Sequence, residues 1–246
     1  MSYVRPSRTL PILMNDISIH GLQAGRKTMT RRLVHPSSEA VRGLLYNHWP
    51  DEYVLDPANR PLCESASRWR VGDRLWVREC FSYTTAPAEP DEEHQGVWYW
   101  ADGEPVLGDY SKPKPSIHMP RWASRFTLDV LHMHLERLNA ISEADAIAEG
   151  IEMLPYDGNA PEFRGAIGWK SYEIIHRGRG RGKPHPHASI PNKSPITSYR
   201  EIWESMQGPG SWDENPWVVV TEFESTAENI DERTGEACRA IPPVQS

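Results

Sequence analysis

Proline is the feature that most limits what this chain can fold into. There are 22 prolines among 246 residues, about twice the usual share. Each removes a backbone donor and fixes φ. That density argues against a bundle of helices and points to strands joined by irregular loops.

The rest of the composition narrows the class. Apolar residues at 38% and charged residues at 25% are those of a globular protein, neither fibrous nor disordered. The length suffices for one sizeable domain or two small ones. Lys and Arg number 27 against 34 Asp and Glu, so the net charge is 27 − 34 = −7. An acidic balance disfavours a non-specific coat on nucleic acid, yet leaves room for a local basic site. The longest clean apolar run, Trp217 to Val220, is far too short to span a bilayer. An N-terminal apolar patch is broken by Asn15 and Asp16, too early for a secretory segment. Cys63, Cys80 and Cys238 are far apart and lack C-x-x-C spacing, so neither a disulfide framework nor a zinc ribbon is expected. A cytoplasmic protein with reduced thiols follows. Ten tryptophans are scattered along the chain, and most are expected in the core.

Local signals lay out the elements. Asn15 or Asp16 caps a helix over about 16–24, which Gly25 stops. Lys27 to Val34 reads as a turn entering a strand, and Asp73 to Cys80 alternates at period two. Val97 to Trp100 is a candidate hairpin strand. A long strand covers 125–138, its apolar phase slipping from 126, 128, 130 to 131, 133, 135, as a β-bulge would produce. Ser142 with Asp145 starts a short helix at 143–149 that Gly150 ends. A helix at about 197–206 puts Tyr199, Ile202, Trp203 and Met206 on one face, and the last strand is 216–223. Residues 36–68, 82–116 and 152–193 read as irregular insertions, and 226–246 as a polar tail. The sum is one α+β domain over 1–225: a small curved sheet, short helices and decorated loops.

The segment Gly25-Arg26-Lys27-Thr28-Met29-Thr30-Arg31-Arg32 carries the clearest chemistry. It is not a phosphate loop, because the G-x-x-x-x-G-K-[ST] spacing is absent and Gly25 ends a helix where such a loop would begin one. In a regular strand Lys27 and Thr30 face opposite ways. In a turn, positions i and i+3 can converge. A solvated basic strand start fits the same spacing.

Four motifs in order resemble a known family. They are Ala24-Gly25-Arg26-Lys27-Thr28-x-Thr30-x-Arg32, Gly72-Asp73-x-Leu75-x-Val77, Ser142-Glu143-x-x-Ala146-x-x-Glu149-Gly150 and Trp217-Val218-Val219-Val220-x-Glu222-Phe223. Together they resemble the ASCH domain of the PUA-like superfamily, whose small β-barrels are linked to RNA and modified-base recognition. The run Ile117 to Arg125 is similar to a block in phage and prophage members. The resemblance covers about 11–34, 69–81, 117–151 and 196–223. It implies a PUA-like barrel with flanking short helices and the three insertions.

At these motifs the chain is similar to small bacterial 4-acetylcytidine amidohydrolases. By that resemblance Lys27 is the proton acceptor, Thr30 the nucleophile and Glu149 the proton donor. The resemblance implies no cofactor, and a nucleoside or nucleobase as substrate. The assignment has physical sense: a threonine hydroxyl needs a neighbouring base, and Arg26, Arg31 and Arg32 should make Lys27 a better one. Glu149 is expected at the negative end of its helix, which favours a carboxyl group that donates a proton. Arg32 would hold the oxyanion or ribose, with Trp76, Arg78, Arg121 and Trp122 as pocket walls. Two alternatives stay open: a non-catalytic module binding RNA or a modified base, and a ribonuclease in which Lys27, Arg32 and Glu149 stabilise a phosphoryl transition state.

Other signals are weaker. His132 and His134 share a strand face, but no carboxylate or cysteine sits at convincing spacing, so no metal is expected. Arg177, Arg179, Arg181 and Lys183 alternate with glycines, a pattern suited to a flexible arm on an RNA or modified-DNA backbone, or to a solvated loop. Gly-x-Ser-x-Gly is absent.

Overall fold

A computed structural model of the chain describes residues 8–34, 42–44, 49–84, 96–105, 108–155, 167–172, 174–175, 183–184 and 191–232. Eleven strands are described: β1 (Thr9–Leu13), β2 (Met29–Leu33), β3 (Arg74–Arg78), β4 (Phe81–Tyr83), β5 (Val97–Tyr99), β6 (Thr127–Arg137), β7 (Met153–Pro155), β8 (Ile167–Trp169), β9 (Ile174–Ile175), β10 (Lys183–Pro184) and β11 (Trp217–Thr226). The described α-helices are α1 (Asp16–Gln23), α2 (Asp51–Leu55), α3 (Arg60–Ala66), α4 (Glu143–Ala148) and α5 (Pro195–Gln207). Short 3-10 turns fill several connections. The protein is thus mixed α/β with a mostly β-sheet core, and none of its described helices is long and apolar enough to cross a membrane.

Five strands are hydrogen-bonded in the order β1–β3–β6–β11–β2. Strand β1 runs parallel to β3, with Ile12 opposite Val77, and β3 runs antiparallel to β6, with Leu75 opposite Leu128. Among the described residues β1 and β2 stand at the two ends of this order, and no pairing closes it into a barrel. Three two-stranded ribbons accompany it: β4–β5, β7–β8 and β9–β10.

The single domain expected from the sequence divides into two compact units. One comprises 1–25, 69–132 and 222–246, the other 26–68 and 133–221. Strands β6 and β11 pass from one to the other. On β6 the inward residues are Leu128 and Val130 in the first unit, Met133 and Leu135 in the second, with Leu131 and His132 both exposed between them. The expected slip is therefore real, and it sits where the strand changes unit, although Leu131 does not join the core. Two outward residues in a row exchange the faces of everything that follows.

In the first unit, Asn15 caps α1 by accepting from the Ser18 N–H, as its position predicts. Ile19 and Leu22 of that helix are buried, as are Leu75 and Val77 of β3. The β4–β5 ribbon lies over Met119 and Ala123, with Tyr83 and Trp122 stacked at a centroid distance of 6.3 Å. A network of charges ties this unit together. Arg125 forks onto Glu79 at 2.7 and 2.8 Å, reaches Asp102 at 2.6 Å and lies 4.1 Å over the Tyr99 ring. The start of the expected tail also belongs here. The two N–H donors of the Asn229 amide are shared among the carbonyls of Arg121, Trp122 and Ser124, at 3.1, 2.9 and 2.7 Å, and Ile230 is buried. The docked amide ties the 121–124 loop to the start of the tail, which the polar composition of 226–246 did not reveal.

In the second unit, the stretch 36–68 is not the irregular insertion expected. It contains α2 and α3, whose Val54, Leu62, Cys63 and Ala66 are buried. Helices of five and seven residues are too short to show a hydrophobic period. Proline near the start of α3 belongs to a helix beginning, where its missing N–H costs nothing. Within 152–193 the described residues likewise form short strands. Helix α5 buries Tyr199, Ile202 and Trp203 as its spacing predicts, but Met206 is exposed, one turn past the packed face. Five of the ten tryptophans, Trp69, Trp76, Trp203, Trp212 and Trp217, are buried, and the other five are half-buried.

Candidate functional site

The segment Arg26–Leu33 and helix α4 lie in the second unit and meet there. Helix α1 ends at Gly25, whose φ of 65° is the left-handed conformation glycine adopts without strain. After the turn at Ala24–Gly25 the chain runs through Arg26 to Thr28 without regular structure before β2 begins. At the other side, Ser142 and Asp145 form a reciprocal capping box at the start of α4, and Glu149 occupies its C-cap. Gly150, at φ 101°, redirects the chain. A backbone bond of 2.9 Å from the Thr28 N–H to the Ala148 carbonyl sets this segment against the end of α4.

That arrangement buries Lys27 and Glu149 together, at 2% and 8% exposure. Lys27 Nζ donates to the Met29 carbonyl at 2.9 Å, to the Glu149 carbonyl at 2.8 Å and to Glu149 Oε2 at 2.7 Å. A lysine ammonium has three N–H donors, so its whole capacity is spent on these acceptors. The bond to the Glu149 carbonyl also satisfies one of the open carbonyls at the helix end. Lys27 is thus both a partner of the carboxylate and a cap for α4.

Arg31 is the second cation of the cluster, with a fully buried side chain. Its Nε donates to Glu136 at 2.6 Å, its Nη2 to Asp145 at 2.9 Å, and its Nη1 reaches Glu149 Oε1 at 3.5 Å. From α5, the Tyr199 hydroxyl donates to the same Oε1 at 3.3 Å. The two oxygens of Glu149 therefore face different partners: Oε2 meets Lys27, and Oε1 meets Arg31 and Tyr199.

The electrostatics follow from this packing. Burial pulls the Lys27 pKa below the usual lysine value; the Glu149 charge opposes it, and Arg32 and Arg31 add to the lowering. Burial also lowers Arg32. Arg31 moves up, because Glu149 and Glu136 outweigh its burial. Burial and the adjacent Glu149 charge push the Tyr199 phenol well above its ordinary range, so it stays a neutral donor.

Of the residues singled out in the sequence, Lys27 and Glu149 are brought together across 122 positions. Thr30 is close in sequence and buried. It stands on β2, where side chains alternate, so it faces away from Met29 and Arg31. Among the described residues its hydroxyl makes no hydrogen bond to Lys27 or Glu149. Arg32 is half-buried, and its charge reaches Lys27 and Glu149. Trp76, Arg78, Arg121 and Trp122 belong to the first unit and have partners there. Arg78 lies 4.6 Å over the Trp76 ring and donates to the Met119 carbonyl, Arg121 pairs with Asp231, and Trp122 packs on the Phe81 cluster. Arg177, Arg179 and Arg181 lie outside the described residues, and the Lys183 backbone forms part of β10.

Sequence reading named Arg31 only as a cation flanking Lys27, not as a partner of Glu149, and it missed Tyr199 as a member of the cluster. Arg31 carried a signal, since it shares a strand phase with Met29. Tyr199 looked like any apolar-face residue of α5, and its hydroxyl partner could not be read from helical spacing. No family model matches the chain, and neither does any curated protein or solved structure.

Proposed function

We propose that the protein is an amidohydrolase that removes an acyl group from an N4-acylated cytosine base or nucleoside, on a PUA-like barrel of the ASCH type. The observation that carries this reading is the buried Lys27, drawn below the usual lysine range by burial and by Arg31 and Arg32, and set 2.7 Å from a carboxylate oxygen. A lysine that yields its proton readily is what a general base requires. Thr30 supplies the hydroxyl nucleophile.

In the proposed reaction the Lys27 ammonium first passes one proton to Glu149 Oε2, 2.7 Å away, and Thr30 Oγ1 then attacks the acyl carbonyl carbon as its own proton passes to the neutral Lys27 Nζ. The C–N bond then breaks, and Glu149 Oε2 gives a proton to the departing N4 amine. Water cleaves the acyl-threonine, delivering hydroxide to the acyl carbon and its proton to the Thr30 oxygen. The products are a carboxylic acid and the free cytosine or cytidine. Arg32 would hold the oxyanion or the ribose. All three Lys27 donors are engaged and Thr30 makes no bond to it, so the chemistry requires the Lys27–Glu149 contact to loosen when substrate enters. The same observation favours a second reading, in which the cluster only shapes a site that binds RNA or a modified base.

Incubation with 4-acetylcytidine and chromatography of the products separates the two. The hydrolase releases cytidine, and Lys27→Ala and Thr30→Ala each lose about 100-fold or more in kcat, the scale of a general base. Wild type no faster than Lys27→Ala sinks the hydrolase. Binding of the nucleoside without turnover supports the second reading.

A further inference from the structure

The division of labour between the two oxygens of Glu149 carries a consequence for the neighbouring helix α5. Oε1 accepts from the Tyr199 hydroxyl at 3.3 Å and faces Arg31 Nη1 at 3.5 Å, while Oε2 faces Lys27 Nζ at 2.7 Å. Arg31 cannot lose its proton at any working pH, and the buried phenol of Tyr199 holds its own. Both are permanent donors to one oxygen. A proton on Glu149 therefore finds Oε1 already met by two N–H or O–H groups, and finds a base on the side of Oε2.

We propose that Tyr199 is a positioning residue: with Arg31 it occupies Oε1 of Glu149, so that Oε2, the oxygen facing Lys27, is the one that takes and gives the proton. The proposal rests on the hydrolase reading above and deepens it. It makes the Lys27–Glu149 pair a store for one transferable proton whose direction α5 fixes. Three further charges bear on the pair. Arg32 on β2 acts on both members, while Glu136 on β6 and Asp145 on α4 bear on it through Arg31, whose Nε and Nη2 they hold. Since Arg31 keeps two carboxylate partners, Tyr199 is the partner of Oε1 that can be removed without leaving a buried cation unpaired.

Tyr199→Phe keeps the ring and its packing and deletes the hydroxyl alone. In the hydrolase assay kcat falls about tenfold, the order expected for one hydrogen bond to a charged group, while KM stays within twofold. Losing a donor to the carboxylate strengthens its hold on the Lys27 proton, so the pH dependence of kcat moves to higher pH. Lys27 Nζ, followed by NMR of side-chain-labelled lysine, titrates at higher pH in the variant by the same reasoning. A kcat and pH profile superimposable on wild type overturns the proposal, as does a fall in kcat with an unmoved pH profile, which is a packing effect. If the wild type hydrolyses nothing, the hydrolase reading fails by itself. The lysine titration then decides the positioning role: an upward shift in Tyr199→Phe upholds it and an unmoved titration overturns it.

Discussion

Lys27→Met is the substitution whose energetic cost the structure specifies most closely. The variant keeps the length of the side chain and removes three donors, leaving the Met29 carbonyl, the Glu149 carbonyl and Glu149 Oε2 without their bonds of 2.9, 2.8 and 2.7 Å. Removing one partner of a buried ion pair costs about 3–5 kcal/mol, because the other charge is left behind. Here the stranded Glu149 retains Arg31 and Tyr199 at 3.5 and 3.3 Å, so the lower end, about 3 kcal/mol, is expected. Adding Glu149→Leu removes the stranded charge. Arg31 then keeps Glu136 and Asp145 at 2.6 and 2.9 Å, and the double variant recovers about 2 kcal/mol relative to the sum of the singles. Urea unfolding of the four proteins reads the coupling. The pH dependence has a definite sign. The folded pKa of Lys27 is lowered, so the unfolded chain binds more protons between that pKa and about 10.4, the ordinary lysine value. The advantage of wild type over Lys27→Met grows as pH rises through that window. Single and double effects that add within about 0.5 kcal/mol, or an advantage that shrinks with rising pH, would refute the reasoning.

Two further outcomes are expected in the first unit. Burial raises the Glu79 pKa, and Arg125 holds it down from 2.7 Å. In Arg125→Gln the carboxyl rises further, and a raised acid contributes stability below about pH 4.3 that is lost as pH climbs through its folded pKa. The melting temperature of the variant should therefore fall more between pH 5 and pH 8 than that of wild type, and equal slopes would remove the charge network as the cause. Asn229→Ala removes the two N–H donors that the Arg121, Trp122 and Ser124 carbonyls share, while Arg121 keeps the Ser124 N–H. It should cost about 2 kcal/mol in urea unfolding, and a loss below about 0.5 kcal/mol, the level of an ordinary surface change, would show that residues 227–232 dock for another reason.

What could be read in advance was local. The Asn15 cap, the Ser142–Asp145 capping box and the left-handed glycines at 25 and 150 depend on residues three or four apart, and each stands where it was expected. The phase slip in β6 was legible because a two-residue period shows a one-residue error at once. Helices α2 and α3 were not, because five to seven residues span too few turns to declare a period. The division into two units was illegible as well, since the chain crosses between them inside strands, where composition does not change.

The site divides in the same way. The sequence by itself determined that Lys27, Thr30 and Arg32 follow a helix stop, and that Glu149 closes a short helix before a glycine. Only the tertiary structure decided which of these meet. Lys27 finds its carboxylate 122 residues away, Arg31 finds Glu136 and Asp145 at separations of 105 and 114, and Tyr199 reaches Glu149 across 50. Spacing fixes the face a side chain occupies on its own element. Which atom it touches across such a separation depends on how β2, α4 and α5 pack, and a buried ammonium with three donors takes every acceptor that this packing brings within reach.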